Sequence, residues 1–401
     1  MQQRVSRKNG VGVDKILKTI SPLTKLESGC GLFRCRFVDG QFKPITAPFK
    51  IYRFIIIFLI VLSNTFLFIH ENRQSRLDTE LLIFFAENIS FLVMITYNVM
   101  LTIIFLKFSE KNIRLIKVLA KIEDKLHISN NIEFYKISRR HLILSIFIYF
   151  LMYFSCYVPN VIMDEKFSMI RVLVEILSDC ERRIESFVLY SFVKMLLDRL
   201  DILNKYLATF VNLKKRSHSF SCRYNKNVDI TSVNYIGLVS NTNNKISHLA
   251  SAYKDIGEVK NLLNEIFNFQ IFMSLLSSFI YLIIMIWSSI YYFRKCESFE
   301  LIDIAVQCIV EVIMIFFLFN ICEVMNCKRN ITNILVNEIV MDYELPKTMR
   351  QQAKAFVELI EVWPMKISAY DMYLIDIKLL LKFMSVSTTY IIVIIQLSHF
   401  L

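Results

Sequence analysis

The run Ile266–Phe293, IFNFQIFMSLLSSFIYLIIMIWSSIYYF, holds 28 consecutive residues without one charged side chain. A helix needs ~20 residues to cross the hydrocarbon of a bilayer, so this stretch reads as a transmembrane helix with turns to spare. Five more apolar runs follow the same logic: Ile51–Ile69, with Arg53 able to snorkel near its start, Leu81–Leu106, Leu142–Val161, Ile304–Cys322 and Phe383–Leu401. Composition agrees, with 55% hydrophobic residues and 34 Phe against 7 Gly and 6 Pro in 401 residues. A soluble domain, a disordered chain, a disulfide scaffold and a nucleotide enzyme built on glycine loops are all excluded.

A seventh crossing comes from charge rather than hydropathy. Met169–Leu197 carries eight charged residues, from Arg171 to Lys194, and fails any apolar threshold. The loops on either side, Lys107–Arg140 with nine basic residues and Asp198–Glu265 with ten, both read as cytoplasmic, so an even number of crossings separates them. Leu142–Val161 supplies one, and Met169–Leu197 must supply the other, facing protein or water. The remaining segments fit this topology. Ten basic residues precede the first span and seven lie in 323–381 after the sixth, whereas the loops on the opposite side hold two, four and two. The expected fold class is an all-α membrane protein with seven transmembrane helices, a cytoplasmic N-terminus, an extracellular C-terminus and no signal peptide.

The net charge of +12 follows from the basic cytoplasmic loops and implies no nucleic-acid partner. G-protein-coupled receptors are excluded by the inverted orientation, by the missing Asp-Arg-Tyr after the third span and by the missing Asn-Pro-x-x-Tyr in the seventh. A transporter is disfavoured because Pro159 is the only proline in a span and no glycine breaks one. The six histidines are scattered, no nucleophile sits beside a base, and no Cys-x-x-Cys occurs, so the reading is no enzyme, no metal and no cofactor. Cys180 and Cys296 fall on extracellular segments as a possible disulfide pair.

The seventh span contains Thr389, Tyr390, five aliphatic residues and Gln396, then Leu397. This resembles the Thr-Tyr, five hydrophobics, Gln-Phe signature that closes insect gustatory receptors, with Leu397 in place of the usual Phe. The approach, Ile367, Ser368, Ala369 and Tyr370 followed by Ile375 and Asp376, is similar to the family's. So are Arg199, Leu203, Asn204 and Leu207 after the fourth span, and Leu249, Leu262, Asn264, Phe267 and Gln270 before the fifth. The resemblance implies a ligand-gated, non-selective cation channel in the plasma membrane of gustatory sensory neurons. It implies a homotetramer, or a heteromer with other gustatory receptors, gated by a small-molecule tastant. Bitter plant compounds are the leading ligand class because Ile391 replaces the acidic residue of the sugar branch. A fructose-like sugar receptor remains open, as does a transporter or non-conducting receptor.

On this reading the chain divides into a cytoplasmic segment (1–50), helices one to four (51–198), a cytoplasmic loop with helices (199–265), helices five and six (266–322), cytoplasmic anchor helices (323–381) and a pore-lining helix (382–401). The fifth helix is expected to start below the membrane near Ile246, and 214–244 reads as a polar linker. In the last helix Thr389, Val393, Gln396 and Phe400 share one face at i, i+4, i+7 and i+11, with Tyr390 supporting the gate. Thr389 bonding its own backbone, or Gln396 bonding another helix, is the structural alternative. Glu87 and Glu311, acids inside apolar spans, join Tyr153, Tyr157, Tyr281 and Trp287 as candidate ligand contacts for an amphipathic or cationic compound. Pairing of the acids with Lys194 or an arginine of the fourth span is the alternative. Membrane lipids complete the list of partners.

Overall fold

A computed structural model describes the backbone of residues 2–32, 34, 36–38, 41–43, 46–75, 81–155, 157, 169–218, 240–294 and 298–400. Side chains are described at 12–32, 34, 46–66, 69, 92–93, 95–155, 157, 176, 179–211, 240–286, 288–289, 301–302, 304–390, 392–393 and 396. Ten helices run through these residues: α1 (Gln2–Gly29), α2 (Ala47–Ser75), α3 (Leu81–Lys107), α4 (Ser109–Lys125), α5 (Ile132–Ser155), α6 (Met169–His218), α7 (Lys245–Arg294), α8 (Ser298–Met341), α9 (Lys347–Val362) and α10 (Ile377–Phe400). Two small antiparallel hairpins join them, β1 (Arg36–Val38) with β2 (Gln41–Lys43), and β3 (Ser368–Ala369) with β4 (Tyr373–Leu374).

At 50, 50 and 44 residues, α6, α7 and α8 are each about twice as long as a bilayer requires. One end of each therefore extends into a basal layer, where α1, α4, the start of α5 and α9 gather around it. Amphipathic spacing drives this assembly. On α9, Met349, Ala353, Phe356 and Ile360 recur at four, three and four residues and are fully buried, while Pro346 and Pro364 bracket the helix. On α1, Val13, Ile16, Ile20 and Leu23 form a similar stripe, and on α4 Leu115, Leu119 and Ile122 do so. Neither α1 nor α4 is anticipated by the sequence reading. Of the linker expected at 214–244, residues 214–218 belong to the end of α6, and 219–239 lie outside the described residues.

Among the described residues, four helical stretches are long and apolar enough to cross a membrane: Ala47–Phe66, Ile132–Ser155, Lys245–Ile286 and Ile304–Met341. A shorter apolar piece covers Ile95–Lys107. Large apolar side chains stay outward on α2 and α5, including Phe58 and Phe147, each about two-thirds exposed. In a membrane these faces meet lipid or a neighbouring chain.

The motif residues of the sequence become joints of the basal layer. Arg199, 2% exposed, donates to Glu123 of α4 and to the Met195 carbonyl (2.7 Å), and Tyr135 donates to the other oxygen of Glu123. Asn204 donates to the Lys328 carbonyl (3.1 Å) and accepts from Thr332 (2.7 Å), tying α6 to α8. Asn264 of α7 donates to Ser368 (3.1 Å), and Asn268 accepts from the Tyr370 amide (3.2 Å), which seats the β3–β4 hairpin at the foot of α10.

Trp363 closes this layer against Gly257 of α7, and Tyr253 donates to the Trp363 carbonyl (3.1 Å). A Cβ at 257 would lie 2.6 Å from Trp363 Cε3 and 3.0 Å from Cδ2. The ring must shift, and the helix-propensity gain of alanine, about 1 kcal/mol, does not offset an overpacking cost of about 1–3 kcal/mol. Gly257→Ala is thus expected to lower the melting midpoint of the purified protein by several degrees. An unchanged midpoint would show that Trp363 moves freely.

Candidate functional site

The centre of the bundle is the polar stretch 179–185 of α6. Asp179, Arg182 and Arg183 lie at i, i+3 and i+4 and share a face turned toward α8, while Glu181 and Glu185, also four apart, point toward α1 and α2. All five are buried, which is how so charged a helix is accommodated among apolar neighbours.

The first face builds a closed quartet. Asp179 accepts from Arg182 Nε through Oδ1 and from Arg183 Nε through Oδ2, both at 2.7 Å. Glu311 Oε1 accepts from Arg182 Nη1 (3.0 Å) and from Ser278, and Oε2 accepts from Arg183 Nη2 and Arg182 Nη2 (3.4 Å). Two guanidiniums thus balance two carboxylates, with hydrogen bonds to every carboxylate oxygen. The other face holds the N-terminal segment. Arg34 donates to Glu27 and Glu185 and stacks over Phe267 (4.6 Å) and Phe105 (5.2 Å), and Arg53 grips Glu181 with two nitrogens.

Beside the quartet lies a cavity of about 270 Å³ between α5, α6, α7 and α8, lined by the charged Arg182, Arg183 and Glu311 and by the apolar Ile148, Met152, Met314, Ile315 and Leu318. Tyr149, Tyr190, Ser145, Ser274 and Ser278 also line it. Small size, apolar walls and a few convergent polar groups are the ordinary features of a ligand site. Among the described residues no group of three His, Cys, Asp or Glu is placed to hold a metal ion.

Of the sequence candidates whose side chains are among the described residues, Glu311 alone lines this cavity. Tyr153 is buried next to it, donating to the Ile176 carbonyl (3.1 Å) with its hydroxyl 3.3 Å from that of Tyr157. Tyr281 donates to Gln307. The side chains of Glu87, Trp287 and Phe400 lie outside the described residues, and so does Cys296, the partner considered for the free thiol Cys180. The arginine pairing weighed for Glu311 occurs through Arg182 and Arg183; Lys194 instead pairs with Asp198 (3.2 Å). On α10, Thr389 donates to the Ser385 carbonyl (3.0 Å) and Tyr390 packs edge-on against Phe279 at 5.7 Å. Val393 and Gln396 are exposed on the single chain. The sequence reading missed Tyr149, Tyr190, Ser274 and Ser278, although Ser274 and Ser278 already shared a face at four-residue spacing.

A family model described as 7tm Chemosensory receptor matches residues 21–398. No curated protein matches the chain in sequence. Among solved structures, the insect olfactory receptor OR5 from Machilis hrabei superposes with a TM-score of 0.63 at 11% identity, covering 96% of this chain and 99% of that one. The same receptor in complex with eugenol gives 0.61 at 12% identity, covering 96% and 100%.

Proposed function

The chain belongs to the 7tm chemosensory receptor family, the insect receptor family that its motifs resemble, and from that premise we propose that it is a gustatory receptor. In this reading it is a ligand-gated, non-selective cation channel of the plasma membrane of taste neurons, with seven spans, a cytoplasmic N-terminus and an extracellular C-terminus. Four chains, identical or mixed with other gustatory receptors, surround one pore lined by α10. The carrying observation is the family match over nearly the whole chain together with the Thr389, Tyr390 and Gln396 signature in α10. Thr389, Val393 and Gln396, all exposed on the single chain, then stack as rings of hydroxyl, aliphatic and amide groups with a constriction that gates by dewetting. Phe400 lies on the same face by spacing, and Tyr390 braces the helix against Phe279.

The ligand is a taste chemical, with a bitter plant compound favoured over a sugar, and it acts near Glu311 and the aromatic residues Tyr153, Tyr157 and Tyr281; Glu87 and Trp287 belong to this proposal through sequence alone. Whole-cell recording with Gln396→Ala and Gln396→Glu tests the pore. Gln396→Glu adds a ring of acids and is expected to raise divalent permeability severalfold, while Gln396→Ala is expected to weaken block by large organic cations. Ligand-evoked currents whose permeation is identical in all three proteins would remove Gln396 from the pore, and ligand flux without current would favour a transporter.

A further inference from the structure

Helix α5 carries three cations on one face just before its apolar run begins. Lys136, Arg139 and Arg140 stand at i, i+3 and i+4, and Ile143 and Phe147 continue the same face at i+7 and i+11. All five side chains are exposed, Ile143 at 47% and Phe147 at 64%. From Arg140 to Phe147 is about 10 Å along the helix axis. A basic turn thus passes directly into an apolar one on the outside of the bundle, in a helix long and apolar enough to cross a membrane. Basic charge beside a span is ordinary in a cytoplasmic loop, but elsewhere in this fold it is neutralised by protein. On α4, Lys111, Arg114, Lys121 and Lys125 all pair with acids of α7, namely Glu265, Glu258 and Asp255. Lys136, Arg139 and Arg140 have no hydrogen-bond or ion-pair partner among the described residues. Glu133, the one acid of α5, lies a turn further from the apolar run and leaves the face with two positive charges in excess.

We propose that this face of α5 is a binding site for a phosphoinositide of the inner leaflet, with its phosphorylated inositol on Lys136, Arg139 and Arg140 and its acyl chains along Ile143 and Phe147. The two guanidiniums each offer a planar fork to a phosphate and Lys136 adds a point charge, which suits a headgroup bearing more than one phosphate. Phosphatidylserine brings a single phosphate, and its carboxylate is balanced by its own ammonium. A free anion would satisfy the cations but leave Ile143 and Phe147 without a partner. None of these five residues lines the cavity beside Glu311. The inner-leaflet position rests on the cytoplasmic start of α5 in the proposed topology; the chemistry of the face does not.

The test uses the full chain in phosphatidylcholine nanodiscs with a photoreactive phosphatidylinositol bisphosphate in both leaflets, and mass spectrometry of the labelled peptides. Labelling is then read whichever face of the protein is cytoplasmic, and without any current. It is expected to concentrate on the first half of α5, to be competed by unlabelled phosphatidylinositol bisphosphate, and to resist phosphatidylserine or free inositol trisphosphate at the same concentration. Lys136→Gln, Arg139→Gln and Arg140→Gln together are expected to weaken binding about a hundredfold, or about fivefold for each cation lost. Lys254→Gln, Lys347→Gln and Lys354→Gln, which remove the same charge from exposed positions of the basal layer, leave it unchanged. Equal competition by phosphatidylserine would reduce the face to general surface charge, and equal competition by inositol trisphosphate would make it an anion site without a lipid. Either result, or equal loss in the two triple variants, overturns the proposal. Ligand flux without current in a protein that labels as expected refutes the channel and keeps the site, whereas a conducting protein that does not label refutes the site alone.

Discussion

Glu311→Ala is expected to cost about 3–5 kcal/mol of stability, the range found when one partner of a buried ion pair is removed. Glu311 is 1% exposed and balances two guanidiniums together with Asp179. Without it, one positive charge is left over in the centre of the bundle. A lysine there would shed its proton, but an arginine retains its charge, so the penalty is not relieved by titration. Glu311→Gln keeps the shape and an acceptor oxygen yet leaves the same excess charge, and should fall between alanine and the native residue. The decisive comparison is a double variant. Arg183→Met with Glu311→Leu removes one charge of each sign, and is expected to recover more than half of the loss, because replacing both partners of a buried pair is far milder than removing one. Melting midpoints and monodisperse yield of the four purified proteins measure this. A double variant no more stable than Glu311→Ala would mean that the quartet does not act as a unit.

Glu311 also shows how far a sequence carries such a site. An acid in an apolar run stands out at once, but its partners sit 128 and 129 residues earlier, and only the rotation of α6 against α8 decides that Arg182 and Arg183 face it while Glu181 faces away. The i, i+3, i+4 spacing of Asp179 to the arginines was present in the sequence; its direction was not. The apolar runs in α2, α5, α7 and α8 were plain for the opposite reason, since a helix that meets lipid must be apolar around most of its circumference. Helices α1 and α4 were hidden because each buries only one stripe, and a count of charges sees the other face. Val13, Ile16, Ile20 and Leu23 carry the helical period, but Gly12 and Pro22 interrupt the pattern that would have announced it. The motif residues Arg199, Asn204 and Asn264 were recognised by resemblance, and their physical work as cross-links between helices became visible only in three dimensions.

The second large effect is expected at Arg34, which inserts the segment after α1 between α3, α6 and α7. It is 6% exposed, bonds Glu27 and Glu185, and covers the faces of Phe105 and Phe267. Arg34→Ala leaves two buried carboxylates without their cation and is expected to cost about 3–5 kcal/mol near neutral pH. Arg34→Lys should recover little, since a single ammonium cannot span two acids on separate helices and stack on two rings as a guanidinium does. A pH dependence follows from the same joint. Here Arg34 and Arg53 face three acids, Glu27, Glu181 and Glu185, so one negative charge is in excess. Burial pushes the Glu27 carboxyl up from 4.5 to about 7, against the pull of Arg34. A carboxyl whose folded value lies above its unfolded one binds its proton more tightly in the folded chain. Its contribution is therefore complete below pH 4.5, declines as pH rises, and is gone above about 7, with a slope of at most about 1.4 kcal/mol per pH unit. Melting midpoints at pH 5, 6, 7 and 8 should fall for the native chain relative to Glu27→Gln, which keeps the hydrogen bond to Arg34 and has no proton to lose. Parallel curves for the two proteins would show that the joint between α1 and α6 carries no titrating proton, and the excess charge would then have to be balanced elsewhere in the network.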